Sequence, residues 1–79
     1  MRPLKPFVVL AFDSTRASLA AETALVDAGL TVKAMSLPPQ RGNLCGIALR
    51  LPPAEERAAR AVLDGRGIRI AARDEIEDY

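Results

Sequence analysis

The order of apolar and helical stretches along the 79 residues predicts an α+β domain in the order βαββαβ. Three observations carry that expectation. The chain opens on a short continuous apolar run, two Ala- and Leu-rich stretches of helical spacing each follow a strand pattern, and Gly or Pro punctuates the junctions. The chain therefore reads as two similar halves, folding into a four-stranded antiparallel sheet with both helices on one face.

The first strand is residues 7–12, apolar throughout, rich in β-branched and aromatic side chains and bounded by Pro6 and Asp13. Asp13, Ser14 and Thr15 then offer N-cap side chains to a helix over 16–28, whose apolar positions 17, 21, 24, 25 and 28 form one face and which Gly29 closes. Residues 30–36 alternate with a period near two, as a half-exposed edge strand does. The run 37–44, with two prolines, a glycine and an asparagine, can continue neither element and is a loop. The third strand is 46–51. Pro52 and Pro53 start a second helix, with Glu55 and Glu56 set against its N-terminal dipole and Ala54, Ala58, Ala61, Val62 and Gly65 on its packing face. Gly65, Arg66 and Gly67 end it, and residues 68–72 make the fourth strand.

This is the split βαβ, or ferredoxin-like, order. One domain is expected over 1–79, with an ordered core of about 6–73 and an acidic C-terminal tail over 74–79, read as a disordered solubilising end or as a dock for a basic partner. The topology puts the end of the first strand, the 37–44 loop and the turn before the last strand at one end of the sheet. Ser14, Thr15, Cys45 and Arg66 are expected to gather there.

Composition narrows the chemistry. With 11 basic and 10 acidic residues the net charge is +1, which offers a nucleic acid or a membrane surface little to hold. All the basic groups lie within 1–73, whereas Asp74, Glu75, Glu77 and Asp78 crowd the end. There is no histidine, so His-dependent triads and the common zinc clusters are excluded, and a base-stacking RNA surface would need aromatics on the central strands. No metal and no cofactor is expected. The single cysteine cannot form an internal disulfide, and six apolar residues after Pro6 are too few for a signal segment, so a cytoplasmic protein is expected.

Cys45 is the only soft nucleophile, placed where a Gly- and Pro-rich loop meets a strand and followed by Gly46, which lets another molecule approach closely. The first turn of the first helix, Arg41 and Arg66 are its expected neighbours, and a sulfur or selenium species on it would find donors there. Each residue also has a plainer reading. A free cysteine is commonly a small buried hydrophobe, Ser14 and Thr15 are explained by capping alone, and Arg41 and Arg66 suit solvated loop charges.

Two segments resemble a known family. Phe12-Asp13-Ser14-Thr15 leading to Leu19, Ala21-Glu22, Leu25 and Ala28-Gly29-Leu30 forms the first, and Leu37-Pro38 followed by Cys45-Gly46-Ile47-Ala48-Leu49-Arg50 the second. Together, over roughly residues 7–72, they are similar to a family of small bacterial domains described as selenium or sulfur carrier protein-like. The loop departs from the family pattern of an Arg after the proline and small hydroxyl residues before the cysteine. Those positions hold Pro39 and Gly42-Asn43-Leu44, with Arg41 a displaced cation.

The resemblance implies a carrier that holds a persulfide or selenopersulfide on Cys45, beside Gly46 and the polar Ser14 and Thr15, and exchanges it with sulfur- or selenium-relay proteins such as a cysteine desulfurase. The rival is a non-catalytic interaction or ligand-binding module in which Cys45 only packs and partners use the exposed edge 30–36. A free-standing thiol enzyme is disfavoured by the lack of a second cysteine or a histidine base. Edge pairing of the second or fourth strand between two copies would make a homodimer.

Overall fold

The computed structural model describes residues 3–36 and 46–78. In chain order they form β1 (Lys5–Ala11), α1 (Thr15–Asp27), β2 (Lys33–Ser36), β3 (Ile47–Leu51), a 3-10 turn (Pro53–Glu55), α2 (Glu56–Gly65) and β4 (Ala72–Asp78). The sheet order is β2-β3-β1-β4, every neighbouring pair is antiparallel, and the fold is the α+β, ferredoxin-like one that the sequence predicts.

β1 sits in the interior of the sheet, and this explains why its sequence is continuously apolar rather than alternating. Val8 and Leu10 face the helices, where with Phe12, Leu49, Leu51, Ala21, Leu25, Ala59 and Leu63 they form the main core. Val9 and Ala11 bury into the opposite face with Ala48, against which Met35, Ala72 and Ile76 pack.

Both helices end in the same way. Gly29 (φ 81°) follows α1, and Leu30 N donates to Leu25 O at 3.1 Å while Gly29 N donates to Val26 O at 2.9 Å. Gly67 (φ 68°) follows α2, with Ile68 N to Leu63 O at 2.9 Å and Gly67 N to Asp64 O at 3.1 Å. These are Schellman closures, in which a left-handed residue turns the chain and the next apolar side chain folds back. Leu30 and Ile68 accordingly pack on the core that holds Leu25 and Leu63.

Several elements differ from the sequence expectation. β2 begins at Lys33 rather than at residue 30, because Leu30 and Val32 are spent packing on the helix-side core before pairing with β3 begins. Ala28, read as part of the buried face of α1, is exposed, and Ser18 is buried instead. The buried residues of α2 are Ala59 and Leu63, with Val62 half-buried. Ala54, Ala58, Ala61 and Gly65 are exposed, since the 3-10 turn over Pro53–Glu55 resets the helical phase.

The largest difference is the last strand. β4 is Ala72–Asp78 rather than 68–72, so the acidic residues 74–78 are strand and not a tail. Ile68 and Ile70 cover the core as a connection, and pairing then runs from Ala11↔Ala72 to Lys5↔Asp78. Ion pairs hold the strand where apolar burial does not. Arg73 Nε and Nη2 reach Glu56 Oε2 and Oε1 at 2.6 and 2.9 Å, Arg73 Nη1 reaches Glu75 Oε2 at 2.7 Å, and Arg50 Nη1 reaches Asp78 Oδ2 at 2.6 Å while lying 4.1 Å above the Phe7 ring.

Candidate functional site

The topology sets one end of the sheet apart. β1 finishes there, α1 starts there, and β2 and β3 pair there through Ser36↔Ile47. Ser14 is the N-cap of α1 in extended backbone (φ −143°, ψ 156°), and its Oγ accepts from Ala17 N at 3.1 Å. Its hydroxyl therefore does the capping that its sequence position suggested. Thr15 is the exposed first residue of the helix.

One turn further on, Ser18 is fully buried and its Oγ donates to Ile47 O at a long 3.5 Å. That contact ties α1 to the start of β3, and it brings Ser14 and Thr15 to the same end as Gly46. Sequence reasoning missed Ser18. Its signal was a hydroxyl on the same helical face as Ala21 and Leu25, three and seven residues on.

Gly46 is exposed, and a Cβ built on it would meet nothing within 4 Å among the described residues. The fold itself does not require glycine there. Cys45 and Arg41, the expected carrier thiol and its cation, lie outside the described residues, as does the 37–44 loop.

Arg66 does not join this end. It lines a shallow depression with Ala24, Asp27, Ala28, Ala61, Val62 and Gly65, beside the C-terminal half of α1. Ser14 caps the other end of that 13-residue helix, about 20 Å away along the axis. The cause is the course of α2, whose last turn meets the end of α1 rather than its start.

A second polar constellation lies where α2 begins. Glu55 Oε1 and Oε2 accept from Thr31 N at 2.6 Å and Thr31 Oγ1 at 2.9 Å, tying the turn after α1 to the second half of the chain. Its neighbour Glu56 takes the two bonds from Arg73 and one from Arg60 at 3.1 Å. The Arg73 guanidinium, with Arg60 behind it, holds the Glu56 carboxyl below the usual carboxylate range, and the Arg73 guanidinium is in turn held more firmly protonated. These bonds fix α2 and β4 to each other, and they are structural in character. Among the described residues no group of three His, Cys, Asp or Glu side chains is arranged to hold a metal ion, and no helix is long and apolar enough to cross a membrane.

Comparison with known proteins bears on this geometry. The model of the family described as "Putative Se/S carrier protein-like" matches residues 7–73, from β1 into the start of β4. No curated protein and no solved structure matches the chain.

Proposed function

Because the chain belongs to the family described as "Putative Se/S carrier protein-like", we propose that it carries sulfur or selenium on Cys45 as a persulfide or selenopersulfide. The match over residues 7–73 is the observation that carries this reading, and it takes in both the start of α1 and the Cys45-Gly46 step into β3. Two features of the fold support it. Ser18 joins α1 to Ile47, so the polar start of a helix lies at the same end as the residue following the cysteine, and Gly46 itself is exposed.

The chemistry is an exchange that needs neither a histidine base nor a second cysteine. The Cys45 thiolate attacks the outer sulfur of a donor persulfide, a new S–S bond forms at Cys45, the donor's S–S bond breaks, and the donor leaves as its own thiolate. The proton stays on the transferred atom and no net oxidation occurs. The reverse exchange hands the atom to an acceptor thiolate, and selenium follows the same steps. A helix N-terminus and a nearby cation lower a thiol's pKa and raise its thiolate fraction. Ser14, Thr15 and Arg41 are the residues assigned to that environment, with Gly46 as the approach position.

Sulfur-relay proteins are the partners the family implies, and a cysteine desulfurase in the cytoplasm is the donor we assign. Intact mass after incubation with a desulfurase and cysteine tests the reading. Addition of one sulfur atom to the native chain and none to Cys45→Ser is expected. Absence of any adduct, with slow alkylation of Cys45 in the folded state, would instead make the cysteine a packing residue.

A further inference from the structure

β4 is an outer strand, paired to β1 along seven residues on one side, and among the described residues no further strand lies against its other side. A single hydrogen bond identifies which backbone groups point outward. In an antiparallel ladder successive residues alternate between directing N–H and C=O at the partner strand and away from it. Glu75 N donates to Asp74 Oδ1 at 2.9 Å, so Glu75 directs its backbone outward, and Arg73 and Glu77 do the same by alternation.

The charge of this edge selects its occupant. Seven residues carry four carboxylates, of which Asp78 is paired with Arg50 and Glu75 with Arg73, and one guanidinium, which Glu56 and Glu75 engage. A second copy of β4 would set carboxylates opposite carboxylates, which is unfavourable in a strand pair. A shallow notch lined by Pro6, Glu75, Ile76 and Glu77 opens beside the strand, with Glu75 and Glu77 on one face, two residues apart.

We propose that the outer edge of β4 accepts an extended, lysine- or arginine-bearing segment of a partner protein as a fifth strand. The incoming backbone bonds to the outward groups of Arg73, Glu75 and Glu77, as in other strand additions. One of its carbonyls replaces Asp74 Oδ1 on the Glu75 N–H, and a cationic side chain settles between Glu75 and Glu77. Until then the Asp74 carboxylate blocks the middle of the edge, a local side-chain bond that competes with sheet pairing. The surface is on the opposite edge of the sheet from β2, and its use does not depend on what Cys45 carries.

The test titrates the isotopically labelled full chain with an acetylated, amidated heptapeptide of alternating lysine and valine, and with a twin of the same charge N-methylated at every second residue. The expected result is that the plain peptide slows amide exchange at Arg73, Glu75 and Glu77 about tenfold or more, that the twin does not, and that Glu75→Lys with Glu77→Lys weakens binding at least about tenfold. Equal binding of both peptides would reduce the effect to charge attraction and overturn the proposal. So would absence of protection at about 1 mM peptide, or protection that rises with chain concentration alone, which would make a second copy the occupant.

Discussion

The two outer strands of the sheet face the same hazard, an unpaired backbone edge, and meet it by different means. β2 is four residues long, carries no acid, and is protected by brevity and by Lys33. β4 is seven residues long, as long as β1, and is protected by four carboxylates and by Asp74 lying over the Glu75 N–H. They are also attached differently. β2 leans on β3 through Met35 and Ala48, whereas β4 adds the Arg73–Glu56 and Arg50–Asp78 pairs to its seven-residue ladder with β1 and the packing of Ala72 and Ile76. The comparison separates two proposed tasks: the side ending at Ser36 and Ile47 leads in sequence to the cysteine step, and the β4 side presents a charged border.

Both edges hang from the strands between them, so the largest effect is expected there. Leu49→Ala empties a fully buried site in β3 and should cost about 2–5 kcal/mol, read as a lower urea midpoint with β2 and β4 amides lost together. Separate melting of the two edges would break the picture of one shared core. Ser14→Ala acts on the cysteine side alone. Loss of the Ala17 cap bond should cost about 1 kcal/mol and speed amide exchange in the first turn of α1, with β4 unchanged.

Glu56→Gln acts on the other side. It removes the carboxylate that Arg73 grips and should cost roughly 0.5–1 kcal/mol, with faster exchange confined to β4 and the start of α2. Acid should reproduce this effect. The folded Glu56 carboxyl titrates below its ordinary value of 4.5, so through that window the unfolded chain binds more protons and stability falls as pH falls. The contribution is complete above that ordinary value and gone once pH has passed below the folded one, and β4 should loosen before β2. The smallest effect is expected for Gly46→Ala. No described residue crowds a Cβ there and Gly46 is not among the positive-φ glycines, so stability should change by no more than about 0.5 kcal/mol, while sulfur loading slows.

Much of this was legible in the sequence because it rests on local chemistry. The apolar run of β1, the Ser14 cap and the glycines at 29 and 67 each signal their own conformations, and their order carries the fold class. β4 was not legible, because Arg-Asp-Glu-Ile-Glu-Asp has the composition of a solvated tail and becomes a strand only through β1 and the ion pairs with Glu56 and Arg50. The packing face of α2 failed for a related reason, a 3-10 turn that periodicity does not register. At the candidate site, the expected grouping of Ser14 and Thr15 with Cys45 lies outside the described residues, and what the structure places at the end where α1 starts is Gly46. Ser18 was hidden by being a polar side chain on an apolar face, and Arg66 was misplaced because the sequence does not disclose the angle at which α2 meets α1.

The most direct measurement of the carrier role follows one labelled atom through the chain. Protein loaded from a desulfurase with radiolabelled cysteine is separated from the donor and mixed with an excess of an acceptor thiol. The native chain is expected to hold close to one label per molecule and to release it to the acceptor, while Cys45→Ser, folded as well as the native protein, holds none. Label that never reaches the native chain, or that binds Cys45→Ser equally, would contradict the role assigned to Cys45.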